Sequence, residues 1–258
     1  MNKTKFQNFL YPVLLGVFAA ALLQSGAVHK LFKIKVMQLP YPLTVLRAFW
    51  ENLGKIMPHA AVTMLPAIVG LILGAIIGYA VAVLVTALPN AGFGCLFLIT
   101  LVNSVPIVAL APLTNRWFSN PTVAKLAVIT IASSGAMAAN AFHGLNTASG
   151  DTLDLMHSYA ASKLTVFLKL RMPGSLPSVF TALKIGVSAS MLATIISEFF
   201  SSKTSGLGYM IKYTLKVGNQ KQIGWAYILA VSLFSILLYL AICLLEKKLT
   251  FWHTSQNK

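Results

Sequence analysis

The sequence predicts an all-α integral membrane protein with six transmembrane helices. Three observations carry that prediction. Of the 258 residues, 57% are hydrophobic and only 10% are charged, whereas about a quarter of the residues of a soluble domain are charged; the mean hydropathy is +0.77. The apolar residues gather into long runs, and a hydrocarbon core roughly 30 Å thick takes about 20 mostly apolar residues per helix, which leaves room for six spans with loops. The runs are also continuous and lack the period of two that a membrane barrel requires.

The first run, Phe9 to Val28, follows "MNKTK" and contains "SGA" at Ser25 to Ala27. That pattern also resembles a cleavable signal peptide, but the run is nearly long enough to cross, so an uncleaved first helix is expected. A cleaved form would still be a membrane protein. Next, "YPLTVLRAFWENLGKIM" places Leu43, Leu46, Phe49 and Trp50 near one helical face, with Arg47, Glu51 and Lys55 elsewhere. This is the pattern of a helix lying in the interface. The second span, His59 to Leu88, contains Pro66, which is expected to free a backbone carbonyl and kink the helix. The remaining spans are Phe93 to Leu113, Thr122 to Phe142, Leu176 to Phe200 and Trp225 to Leu245. The chain therefore divides into 1–58, a first transmembrane helix with an interfacial helix, and 59–258, a five-helix core with a polar loop at 150–177.

Several function classes are disfavoured. The formal net charge is +15, yet the cations sit at the ends of apolar runs and form no single basic patch, so nucleic acid is not an expected partner. Cys95 and Cys243 lie within apolar spans without metal-ligand or redox spacing and read as small buried hydrophobes. His29, His59, His143, His157 and His253 are dispersed, with no H-E-x-x-H or paired carboxylates. No catalytic residue, metal site or cofactor is expected. A secondary transporter or channel is the competing reading, but such proteins usually carry midplane ionisable residues or inverted repeats, and neither is apparent.

Orientation does not follow from charge. With a cytoplasmic N-terminus and six crossings, nine of the 20 Lys and Arg fall inside and eleven outside, so the positive-inside rule gives no support.

The stretch "DLMHSYAASKLTVFLKLRMPGSLP", Asp154 to Pro177, interrupts the apolar runs with an acid, three cations and two prolines. Asp151 is the expected N-cap of a short helix, with Asp154 where a carboxylate meets free amides. Met156, Tyr159 and Ala160 fall toward one side. Ser162 can start a second short helix whose Leu164, Phe167 and Leu168 form an apolar face while Lys163 and Lys169 stay polar. Pro173 is expected to stop that helix, and Pro177 suits the first turn of the next span. The segment reads as a structured amphipathic loop at a membrane surface.

With these residues in view, the chain resembles the permease subunits of binding-protein-dependent ATP-binding-cassette (ABC) importers. Their coupling loop follows E-A-A-x3-G-x9-I-x-L-P. Here Asp154 stands for the Glu, Leu155 and Met156 for the alanines, Ala160 for the Gly, and Leu170, Met172 and Pro173 for the terminal positions. "PIVALAPLTNRWF", Pro106 to Phe118, is similar to the family's P-x2-A-x2-P-L-x3-W-F run. "SEFFSSKTSGLGYMI", Ser197 to Ile211, resembles its acid followed by a Gly-Leu-Gly turn, and "LEKKLTFW", Leu245 to Trp252, its basic aromatic end. With "LPYP" at Leu39 to Pro42, the resemblance is to the branch importing sulfonates, taurine, nitrate and thiamine-precursor pyrimidines.

The resemblance implies a type I importer permease (MetI-like) architecture in a bacterial plasma membrane, with the coupling loop facing the cytoplasm. It implies a second permease copy forming a homodimer, an ATPase homodimer, and an extracytoplasmic substrate-binding protein. The chain has no G-x4-G-K-[ST] loop, so ATP would be hydrolysed by the partner. On this reading Asp154, Met156, Tyr159, Ala160, Lys163, Leu164, Phe167 and Pro173 are the ATPase-coupling residues. The alternative is that Asp154 merely caps a helix and the lysines meet lipid headgroups.

Polar side chains within spans are costly in lipid and usually face protein or water. Asn103, Ser104, Ser133, Ser134, Ser188, Thr194 and Glu198 are the pathway candidates, with Asn140 and Ser190 also qualifying; small hydroxyls equally often serve helix packing. Glu198 lies about 20 residues past Pro177, which at 1.5 Å each carries it across to the outer mouth. There it could gate, pair with a cation such as Lys203, or cap the turn at Gly206. Lys203, Lys212, Lys216 and Lys221, with Lys30 to Lys55, would form an outer basic field for a binding protein or anionic substrate, or else snorkel to lipid phosphates.

Overall fold

The structure, a computed structural model, describes residues 3–217 and 221–250. Phe251, Trp252, His253 and Lys258, and the first two residues of "MNKTK", lie outside them. Among the described residues every regular element is a helix. The chain begins with α1 (Lys3–Gln24) and α2 (Ala27–Phe32), separated by Gly26 at φ +74°. Pro42 opens α3 (Pro42–Glu51) after the extended Tyr41, a position where its missing N–H is harmless. Then come α4 (Leu53–Ala87), α5 (Pro89–Ser104), α6 (Ile107–Trp117) and α7 (Pro121–Leu145), the last capped by the Asn120 side chain, which accepts the Thr122 N–H at 2.9 Å. The second half comprises α8 (Gly150–Ser158), α9 (Lys163–Val166), a π-helical turn (Phe167–Arg171), α10 (Met172–Phe200), α11 (Leu207–Lys216) and α12 (Lys221–Leu249).

Among the described residues four helices are long and apolar enough to cross a membrane: α4, α7, the run Lys163–Phe200 and α12. In α1 the corresponding apolar stretch, Val13–Gln24, is shorter. The third predicted span is not one helix. It breaks between α5 and α6 at Val105 and Pro106, because proline lacks the N–H that would continue the ladder and disfavours helical geometry in the residue before it. At Pro66, by contrast, α4 continues without interruption, as it does at Pro58.

At the centre lies α7, with α4 and α10 packed on it. Small residues make that approach possible. Gly70, Gly74 and Gly78 repeat every four residues on α4. A Cβ on Gly70 would meet Ile129 Cγ2 at 2.5 Å, one on Gly74 would meet Ser133 Cβ at 2.7 Å, and one on Gly78 would strike the Ser134 carbonyl. Close backbone approach of this kind replaces the hydrophobic drive that lipid removes between membrane helices. Gly144 of α7 likewise receives Ser178 of α10, whose Cβ would lie 2.6 Å from an added methyl.

A second buried cluster joins α3, α4, α11 and α12 through Ala48, Ile56, Leu207 and Tyr227. It divides the expected face of α3: Phe49 packs inward on this cluster, while Leu43, Leu46 and Trp50 remain exposed. On the same helix Arg47 donates from Nε to Glu51 at 2.7 Å, and this hydrogen bond raises the guanidinium pKa above its ordinary value.

Candidate functional site

The polar interruption folds as two short helices and a turn, but its caps differ in part from expectation. Ser149, not Asp151, caps α8: its Oγ accepts the Thr152 N–H at 3.3 Å. Asp151 sits instead in the first turn, where its charge still favours the helix dipole. Ser162 caps α9 as expected, accepting the Thr165 N–H at 3.2 Å. Between them Ala160 adopts the left-handed conformation at φ +51°. It is the position that the sequence resemblance pairs with a glycine, and only glycine takes this conformation without a steric cost.

Pro173 does not stop the second helix. The chain passes from α9 through the π turn directly into α10, a helical run of 38 residues from Lys163 to Phe200. A proline ring in a regular helix would clash with the carbonyl four residues before it, here that of Lys169. The turn widens at this place, with the Met172 N–H donating to the Phe167 carbonyl, which makes room for the ring. Pro173 therefore lies in the first turn of α10, and Pro177 lies inside the helix, not at its start.

Of the residues expected to couple, Phe167 packs inward against Ala141, Leu145 and their neighbours, and Met156 is half-buried. Tyr159 and Leu164 face outward at 76% and 67% exposure, together with Leu155 and Leu168. Asp154 and Lys163 are also exposed. The chain has five acids, and Glu51, Glu198 and Glu246 each hold a cation at 2.7 Å. Asp151 and Asp154, both on α8, form no ion pair among the described residues. At the root of the segment Arg171 donates to Asn146 Oδ1 at 3.0 Å, and Asn146 donates to the Phe142 carbonyl at 2.8 Å, tying the π turn to the end of α7.

Glu198 is almost fully buried near the far end of α10. Its Oε1 accepts from Lys125 Nζ of α7 at 2.7 Å, and its Oε2 accepts the Gly208 N–H of α11 at 2.8 Å. The Thr63 hydroxyl of α4 lies 3.0 and 3.1 Å from the two carboxylate oxygens and accepts the Leu207 N–H at 2.8 Å. The Gly206 N–H donates to His59 Nδ1 at 3.2 Å. Gly206 itself has φ +110°, and a Cβ there would strike the Glu198 carboxylate. One carboxylate thus fastens α4, α7, α10 and α11 together.

Lys203 is not the partner of Glu198, because it reaches Thr122 Oγ1 at 2.9 Å. Sequence reasoning missed Lys125 and Thr63. Lys125 lies four residues into α7, where a cation reads as a headgroup contact; the signal available was that a buried carboxylate needs a cation on a neighbouring span.

The pathway candidates separate by burial. Ser133, Ser134, Ser190 and Thr194 are buried within the single chain and donate to carbonyls of their own helices, for example Ser133 to Ile129 at 2.9 Å and Thr194 to Ser190 at 2.7 Å. Their hydroxyls serve packing in this conformation. Ser104 and Ser188 are exposed. Asn103 is half-buried and lies over Gly135 of α7, at a distance a Cβ would close.

Comparison with known proteins agrees with this arrangement. Residues 93–251 match the family described as "Binding-protein-dependent transport system inner membrane component". A probable ABC transporter permease protein of Haemophilus influenzae is 27% identical, covering 79% of this chain and 82% of its own length. The formylaminopyrimidine transport permease protein of Halalkalibacterium halodurans is 26% identical, covering 84% and 87%. The taurine transport system permease protein of Escherichia coli is 25% identical, covering 93% and 89%. The matched region takes in residues 150–177, Lys125, Glu198 and Gly208, and α12, so the chain belongs to the family of binding-protein-dependent transport inner membrane components and is a multi-pass permease of the bacterial plasma membrane.

Proposed function

We propose that this permease forms half of the translocation pathway of an ABC importer and transmits the motion of a separate ATPase through residues 150–177. Two copies would supply six spans each, with the α5 and α6 pair together making one crossing and the coupling segment in the cytoplasm. An ATPase homodimer would bind the two segments, and a substrate-binding protein would deliver the solute from outside. The relatives support a small anionic or heterocyclic solute of the sulfonate, taurine, nitrate or thiamine-precursor pyrimidine type. In this reading 1–58 is peripheral and 59–258 is the working core, with Asn103, Ser104 and Ser188 on the pathway surface.

One observation carries the coupling role. The outward-facing Leu164 stands on the same uninterrupted helical run that ends beside Glu198. At 1.5 Å per residue that run is about 57 Å long, so a displacement imposed at its docking end moves the far end as a lever. Tyr159 and Leu164 would seat in an apolar groove of the ATPase, with Asp154 setting register.

The experiment introduces Tyr159→Asp and Leu164→Asp in the full complex. Each places a charge in an apolar contact without compensation. Insertion of the permease should be normal, co-purification of the ATPase should fall, and transport in proteoliposomes should be lost. Normal transport by both variants would overturn the assignment. Native mass spectrometry of the co-expressed complex tests the two-plus-two stoichiometry.

A further inference from the structure

A cavity of about 610 Å³ opens beneath the coupling segment. Its apolar wall includes Val83 and Ala87 at the end of α4, Leu153 of α8, Phe167 of the π turn and, at 67% exposure, Leu164. Its polar contributors are Lys163, Arg171 and His157, with Thr86, and no carboxylate lines it among the described residues. Neither Lys163 nor Arg171 forms an ion pair among those residues, and the three ion pairs there use Arg47, Lys125 and Lys184. The two acids of α8, Asp151 and Asp154, are exposed and absent from the lining. The acids of the segment therefore stay outside the cavity, while two of its cations, the exposed Lys163 and the half-buried Arg171, line it.

Apolar walls continuous with the end of a membrane span, joined to two uncompensated cations, match the two halves of one ligand class. We propose that this cavity holds the headgroup and upper acyl chain of an anionic phospholipid. The phosphodiester sits between Lys163 and Arg171, and the glycerol and first methylenes lie against Val83, Ala87 and Phe167. Basic pockets at the ends of membrane helices bind anionic headgroups through this combination, and the volume falls within the range of sites that enclose small ligands. Thr86 and Asn146, which Arg171 also holds at 3.0 Å, lie at the same end, so an occupied cavity braces α8 and α9 against the ends of α4 and α7. Placement in the cytoplasmic leaflet rests on the orientation proposed above; binding itself does not, and its readout needs neither transport nor an ATPase.

The test is native mass spectrometry of the full-length permease in detergent, titrated with phosphatidylglycerol or phosphatidylcholine. Two cations near an anionic lipid should give a preference for phosphatidylglycerol of roughly tenfold or more. Lys163→Gln combined with Arg171→Gln should reduce that preference to near unity. Because Arg171 also bonds Asn146, a second variant keeps both cations: Ala161→Trp fills the cavity, which Ala161 lines, and should abolish selective binding. Selective binding unchanged in Ala161→Trp would overturn the proposal, since the lysine and arginine would then act as surface charges. Inorganic phosphate competing as well as short-chain phosphatidylglycerol would overturn the lipid assignment in favour of a simple anion site. Loss of the lipid on adding the ATPase subunit would make the cavity part of the docking face and overturn it as well.

Discussion

Lys125 of α7 and Glu198 of α10 lie 73 positions apart in the sequence and 2.7 Å apart in space, with 7% and 1% of their side chains exposed. A pair this deeply buried has shed its water, so the loss of either member leaves a charge with nothing to balance it. The carboxylate also takes the Gly208 N–H and lies against Thr63. Those bonds hold the carboxylate in place and explain why four elements meet at one residue.

Lys125→Met should therefore destabilise the permease by about 3–5 kcal/mol, as breaking a buried pair does. Lys125→Met with Glu198→Gln should recover a large part of the loss, because no charge is then stranded. Thermal unfolding of both variants in nanodiscs checks this. A double variant as unstable as the single one would show that the pair's charge is not what matters.

Gly74 should tolerate no side chain. Its added Cβ would lie 2.7 Å from both Ser133 Cβ and the Thr130 carbonyl oxygen, and backbone cannot give way as a flexible side chain can. Gly74→Val should cost at least about 1–3 kcal/mol through overpacking and reduce the folded yield. Gly54, with nothing within 4 Å, is the control: Gly54→Ala should be neutral or stabilising by up to about 1 kcal/mol. Fluorescence-detected size exclusion and melting temperature separate the two.

Ala160 at φ +51° carries a steric cost that glycine would not. Ala160→Gly should stabilise the coupling turn by up to about 1 kcal/mol, the strain relieved being partly offset by added freedom in the unfolded chain. Ala160→Val should destabilise it, since a β-branched residue fits that region worse. Hydrogen exchange of the amides from Leu155 to Thr165 reports the change directly.

The lysines of α11, which face outward in the proposed orientation, should divide by what they touch. Lys212 donates to the Phe199 carbonyl at 2.5 Å and lies 5.7 Å from the centre of the Tyr209 ring, so Lys212→Gln should lower the melting temperature. Lys216 is exposed, and Lys216→Gln should leave melting unchanged while slowing binding-protein association at low salt. The slowing should fade as salt screens the charge over a Debye length of about 8 Å at physiological ionic strength. An association rate that is insensitive to salt and to Lys216→Gln would assign this cation to lipid.

The residue pattern alone was enough for the helical class, the membrane setting and the positions of four spans, because hydropathy and run length are local properties and a bilayer admits few solutions. It was also enough for the Ser162 cap and the amphipathic character of residues 150–177, since caps act within three residues. Which faces meet was settled by packing in three dimensions. Gly70, Gly74 and Gly78 read in sequence as ordinary members of an apolar run until α7 is laid against them. Lys125 reads as an interfacial cation until α10 brings Glu198 beside it. Pro173 reads as a helix stop until the widened turn before it absorbs the ring. Each of these depends on a partner far away in the chain or on a backbone adjustment that residue type does not encode, and between membrane helices the choice of partner comes from close packing and polar satisfaction, which no single helix contains.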